Sequence, residues 1–138
     1  MTIPIYAAAA GAFLVILQAL LMVTVGAYRG KSGISLGGGD DPALERKIRR
    51  HGNLAENAGL FVAVLALAEM TVVPNIVVQY IAIAFVVARI SHAIALSSEA
   101  GAQGGGGSKF FVVARVIGAM GTFLSFVVLG GYILYGLL

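Results

Sequence analysis

The 138 residues contain no cysteine, so the chain has no disulfide framework, no thiolate metal site and no cysteine nucleophile. Charge is scarce as well: only 11% of residues are Asp, Glu, Lys or Arg, where a soluble domain carries about 25%. Histidine occurs twice, at His51 and His92, without the spacing of a metal-binding helix, so no metal is expected. The glycine runs lack the G-K-[ST] ending and the strand–turn–helix setting of a phosphate loop. No serine has a credible His–Asp pair beside it in the sequence pattern, which removes the serine-hydrolase reading. What is present in excess is apolar: 59% of residues are hydrophobic and the mean hydropathy is +0.97. These figures exclude a disordered chain, a collagen-like chain and an ordinary soluble enzyme. They describe a small integral membrane protein.

A membrane-spanning helix needs about 20 mostly apolar residues. The sequence offers four such stretches, at about 4–28, 42–70, 74–96 and 110–138. The reading is therefore an all-α, four-helix integral membrane bundle, with residues 1–138 forming a single transmembrane domain. The first stretch lacks a basic leader and is longer than a signal-peptide core, so it is expected to remain as a helix. Pro42 suits a first helical turn, with Asp40 or Asp41 as its cap. Gly104 to Ser108 has the composition of a flexible linker or of an engineered scar. The few residues from Thr71 to Val73 leave the second and third helices as a tight hairpin.

The net charge of +3 sits beside the apolar stretches and not in a separate patch, so no nucleic-acid partner is expected. Arg29, Lys31, Arg46, Lys47, Arg49 and Arg50 flank the first loop; Arg89, Lys109 and Arg115 flank the third. Neither terminus nor the turn at Val73 carries Lys or Arg near it. The positive-inside rule then puts loops one and three in the cytoplasm and both termini on the opposite side.

The second helix holds the informative anomaly. Its second half, Ala58 to Ala68, is apolar throughout and too short to cross alone, so part of its polar first half lies at membrane depth. At about 100° per residue, Arg49, Asn53 and Glu56 fall within about 60° of one another, with Arg46, Asn57 and Leu60 flanking. A charge at the bilayer centre costs at least about 2.5–3.5 kcal/mol, so this stripe must face away from lipid. It is either a structural network pairing Glu56 with an arginine, or a polar pocket. Arg89 and His92 share a face of the third helix, Arg115 lies about one turn into the fourth, and Arg29 ends the first. Each cation alone suits a snorkelling contact with anionic lipid, and His92 alone suits a structural role. Together with Asn53 and Glu56 they suit an anionic ligand that also carries an ammonium group. Glu69 lies by the short turn and is expected at the interface. Ala114, Gly118 and Thr122, four apart, form a small-residue ridge for close helix packing, within the bundle or between copies.

The run from Glu45-Arg46 to Glu56 resembles the E-R-x-x-R-x-x-x-N-x-x-E motif of the membrane-associated proteins in eicosanoid and glutathione metabolism, the MAPEG family, in its microsomal glutathione transferase-like form. Arg89 to Leu96, and Arg115-Val116-Ile117-Gly118 followed by Thr122, extend the likeness over nearly the whole chain. The resemblance implies a homotrimer of four-helix subunits with glutathione as co-substrate between neighbours. It implies glutathione contacts from Arg49, Asn53 and Glu56, helped by Arg29, Arg89 and His92, and a catalytic role for Arg115 facing the sulfur. The implied second substrate is an apolar electrophile or a lipid hydroperoxide arriving through the bilayer. Lowering a thiol pKa from about 8.5 by about 2 units needs roughly 2.7 kcal/mol. A guanidinium about 4 Å away in a partly desolvated site supplies about 4 kcal/mol, so one arginine is enough. The chain departs from the family pattern at Asn57 and Gly59, where Tyr and Pro are frequent, and at His92 and Leu96, where eicosanoid-processing relatives carry tyrosines. Two further readings stand beside the transferase: a non-catalytic accessory or structural membrane protein of this fold, and a small proton-coupled transporter using Glu56.

Overall fold

The computed structural model describes residues 3–101 and 108–138, so Gly104 to Gly107 of the glycine run lie outside the described residues. Four long helices make up the fold: α1 (Ile5–Ser32), α2 (Pro42–Met70), α3 (Asn75–Ala95) and α4 (Lys109–Leu137). A short 3-10 turn at Glu99–Gly101 precedes α4, and no strand occurs among the described residues. All four helices are long and apolar enough to cross a membrane, which makes this a multi-pass integral membrane protein.

Local chemistry sets the helix ends. α1 runs past Tyr28 to Ser32, because Gly33 takes the left-handed conformation (φ 70°) and its N–H bonds the Arg29 carbonyl. Arg29 and Lys31 in that last turn complement the helix dipole. α2 starts with Pro42, and of the two candidate aspartates Asp41 is the cap. Its carboxylate accepts from Ala43 N at 2.8 Å and Leu44 N at 3.1 Å, and also from the Tyr28 hydroxyl at 3.0 Å. These bonds hold the Asp41 carboxyl below its ordinary value, chiefly through the Leu44 N–H.

The first turn of α1 has no cap of its own. Glu69, near the end of α2, accepts the backbone N–H groups of Tyr6 at 3.0 Å and Ala7 at 2.9 Å. It is 4% exposed, so this carboxylate beside the short turn is buried against the N-terminus of another helix. The orphan donors and positive dipole end of α1 compensate for its burial.

The core is centred on Phe61 of α2 and Phe85 of α3, stacked with centroids 3.6 Å apart, with Phe126 of α4 packed edge-on to both. α3 and α4 approach most closely at glycine. A Cβ on Gly118 would lie 2.7 Å from both the backbone nitrogen and the Cβ of His92, and one on Gly121 would lie 2.9 Å from Ala88 Cβ. Ala114, Gly118 and Thr122 are all buried, so α3 of the same chain occupies the small-residue ridge. The outer surfaces of α1 and α4 expose Val15, Ile16, Leu20, Val23, Val113, Val116, Leu124 and Val127, as lipid contact requires.

The candidate ligand cleft

The polar stripe of α2 opens onto a cleft of about 690 Å³ at the end of the bundle where the α1–α2 and α3–α4 connections lie. Arg49, Asn53 and Glu56 line one side, with Glu45, Arg46, Ile48 and Gly52 beside them. α3 contributes His92 and Leu96, and α4 contributes Arg115. Five of the seven residues expected at the site are thus gathered round one cavity. The other two lie elsewhere. Arg29 turns its guanidinium onto the Ile34 carbonyl at 3.1 Å, which closes the end of α1. Arg89 lies outside this cleft, in the wall of a second one.

Two of the arginines lining the cleft are held in ion pairs. Arg49 pairs with Glu45 one turn before it at 3.4 Å, and both side chains are largely exposed. Arg46 reaches Glu99 in the 3-10 turn at 3.0 Å, which ties the start of α2 to the segment before α4. Glu56 is exposed and makes no ion pair among the described residues. The structural pairing of Glu56 with an arginine is therefore absent there, and its carboxylate is open to a ligand.

The fixed part of the network lies behind the cleft, and Arg89 makes it. Nη1 donates to Asn53 Oδ1 at 2.7 Å and to the Asn53 carbonyl at 3.4 Å. Nη2 donates to the Gly118 carbonyl at 3.0 Å and to the Thr122 hydroxyl. One side chain so joins three helices, with its guanidinium 5.7 Å from the centre of the Phe85 ring. Asn57 Nδ2 returns to the Asn53 carbonyl at 2.7 Å. Arg50 donates to the Thr24 hydroxyl at 3.2 Å, holding α2 to α1.

The second cleft, about 390 Å³, shares Asn53 and His92 with the first. Asn57, Arg89 and Thr122 complete its polar part, and Ala119, Phe123 and Phe126 its apolar part. Sequence reasoning left Glu45 and Glu99 out of the site: the first entered only as the opening residue of the helix-two motif, and the second lies 53 residues from its partner. Among the described residues no cluster of His, Asp or Glu could hold a metal ion.

A cleft of this size falls in the range of small-molecule sites, about 300–1,000 Å³. Its three arginines suit carboxylates and its two glutamates suit an ammonium group. With that geometry in view, the profile of the MAPEG family matches residues 7–135, almost the entire chain. The chain belongs to the MAPEG family. No curated protein matches it. MAPEG membership makes it a membrane protein of a family associated with glutathione and eicosanoid metabolism.

Proposed function

We propose that this MAPEG protein binds glutathione in the α2 cleft and uses its thiolate on apolar electrophiles or lipid hydroperoxides delivered by the bilayer. The observation that carries this reading is the convergence of Arg49, Asn53, Glu56, His92 and Arg115 on one cavity. Glutathione is a tripeptide with two carboxylates, one ammonium and one thiol. Arg46 and Arg49 suit the carboxylates, Glu56 suits the ammonium, and the Asn53 and His92 side chains can bond peptide groups. Arg115 enters from another helix and stabilises the thiolate, the nucleophilic form. No general base is required, because the thiol proton leaves to water once the anion is favoured.

The working unit in this proposal is a homotrimer. Glu56 is exposed on a spanning helix of the single chain, and a charge facing lipid there is costly. A neighbouring copy against α2 removes that exposure, and Arg29 joins the site from that neighbour. The Lys and Arg bias puts loops one and three, and with them the cleft, on the cytoplasmic side.

The test is glutathione binding to the detergent-purified protein by calorimetry, with ultraviolet difference absorbance to detect thiolate, for wild type and Arg115→Ala. Binding with a thiolate band that the mutant loses supports the transferase reading. Binding without thiolate in the wild type points to the accessory reading, in which the pocket holds its ligand unactivated. Absence of binding to a folded wild type overturns the glutathione reading.

A further inference from the structure

A guanidinium largely withdrawn from water needs a counter-ion, because desolvation penalises an unpaired charge. The Arg46 side chain lines the α2 cleft and is only 19% exposed. Its counter-ion is Glu99, whose Oε1 accepts from Arg46 Nη2 at 3.0 Å. Glu99 lies outside the cleft lining, in the 3-10 turn Glu99–Gly101 on the connection between α3 and α4. Its side chain is 78% exposed. Arg49, the other arginine suited to a carboxylate, is met from within its own helix by Glu45. The two pairs therefore differ in what they hold. Opening the Glu45–Arg49 pair moves side chains on α2 alone. Opening the Arg46–Glu99 pair unties α2 from a segment 53 residues away.

The unequal exposure of Arg46 and Glu99 decides which of them yields to a ligand. Two carboxylates on one guanidinium repel, and its single positive charge cannot neutralise both. Arg46 stays in the cleft wall, because its stem is covered there. Glu99 regains its hydration as soon as it lets go. An exposed ion pair contributes little, so giving it up weakens ligand binding by about fivefold at most. A ligand anchored at Arg49 and Glu56 as well is not free to leave in the same way. We infer that Glu99 is a latch: it holds Arg46 while the cleft is empty, gives way to a carboxylate of the ligand, and thereby frees the 3-10 turn from α2. This rests on the glutathione reading of the cleft and adds its regulation. The exchange replaces one ion pair by another, with no covalent step. Filling the cleft loosens the connection that leads into α4, the helix that carries Arg115.

The test compares the detergent-purified full chain with Glu99→Gln, which removes the charge at an exposed position and keeps the shape. Asp40→Asn is the control. It changes the net charge by the same amount, at an exposed loop position outside the cleft lining. Asn also tolerates the left-handed backbone of residue 40, φ 57°. Glutathione affinity is measured by calorimetry, and amide hydrogen exchange at Glu99–Gly101 is followed with and without glutathione.

Glu99→Gln should bind glutathione about twofold to fivefold more tightly than wild type, and Asp40→Asn should bind it as wild type does. Exchange at Glu99–Gly101 should quicken when glutathione binds wild type. In Glu99→Gln it should be fast already and unaffected by the ligand. Unchanged affinity in Glu99→Gln overturns the latch, and weaker binding overturns it in favour of Glu99 as a prop that positions Arg46. Equal tightening in Asp40→Asn overturns it too, since net charge would then account for the gain. Slower or unchanged exchange in wild type on binding overturns the release of the turn. Each of these results is read from a protein that binds glutathione, so each leaves the glutathione reading standing. Absence of binding to a folded wild type overturns that reading and the latch together.

Discussion

Arg89 Nη1 donates to the Asn53 side-chain oxygen at 2.7 Å, so the buried cation of α3 is held by the middle residue of the polar stripe on α2. The same guanidinium reaches the Gly118 carbonyl and Thr122 on α4. Asn53 therefore borders two clefts while fixing the register of three helices. Truncating it leaves a buried charged donor short of its best acceptor, a loss of about 1.5–3 kcal/mol for a bond to a charged group. Asn53→Ala is expected to lower the thermal midpoint in detergent clearly, and an unchanged midpoint would count against the tie.

The contact of Gly118 with His92 makes a sharper steric prediction. A methyl group at 118 meets the backbone nitrogen and Cβ of His92 at 2.7 Å, and a backbone atom cannot rotate out of the way. Gly118→Ala should cost about 1–3 kcal/mol by overpacking and push α4 from α3. Gly26 on α1 has open space where its Cβ would be, so Gly26→Ala should be neutral or stabilising by up to about 1 kcal/mol. Paired thermal melts of the two variants check the contrast.

These two relationships also mark the limits of what the sequence alone conveys. The four helices were legible because each apolar stretch is long enough to span a bilayer, and the α2 stripe because ionised residues there break that pattern. The family could be read from the same residues. The partners of the polar side chains could not. Glu69 could be placed only by its nearness to a turn, and its partners, Tyr6 and Ala7, are more than sixty residues away. Arg89 looked like one more cation at a helix end, but the α3–α4 approach at Gly118 brings it to Thr122, and it reaches Asn53 on α2 as well. Arg29 has a purely local reason to turn away, the Ile34 carbonyl beyond the end of α1. Such pairings depend on the relative register of packed helices, which no single helix encodes.

Glu69 itself gives a third test. It satisfies two backbone donors at the start of α1 and is buried there. Glu69→Ala should destabilise the protein by about 1–3 kcal/mol, with faster hydrogen exchange confined to the first turn of α1. Glu69→Gln keeps an acceptor and should recover part of the loss. Exchange that stays slow at Tyr6 and Ala7 in the alanine variant would contradict the cap.

Asp41 predicts a dependence on pH. Its folded carboxyl sits below the ordinary value of 3.8, first through the Leu44 N–H, then through the Tyr28 hydroxyl and the Ala43 N–H. A depressed folded value means that the ionised form favours folding. The contribution is present in full above the unfolded value and is lost as the pH falls through the folded one. The thermal midpoint of wild type should therefore exceed that of Asp41→Ala at neutral pH, and the gap should narrow below about pH 4. A constant gap across that range would show that the carboxylate charge adds nothing to the cap.

Glu56 offers the most direct reading of the ligand. Its carboxylate is exposed, lines the cleft and has no ion-pair partner among the described residues, so in the proposal it serves the ammonium of glutathione. Glu56→Gln removes the charge and keeps the shape. A hydrogen bond between charged groups contributes about 1.5–3 kcal/mol, so glutathione should bind at least about tenfold more weakly. A glutathione analogue lacking the amino group has nothing for Glu56 to hold, and it should bind wild type and Glu56→Gln with equal affinity. Calorimetry with both ligands on both proteins completes the cycle. An equal loss for both ligands would mean that Glu56 shapes the cleft without contacting the ammonium, and the orientation of glutathione would have to be reversed.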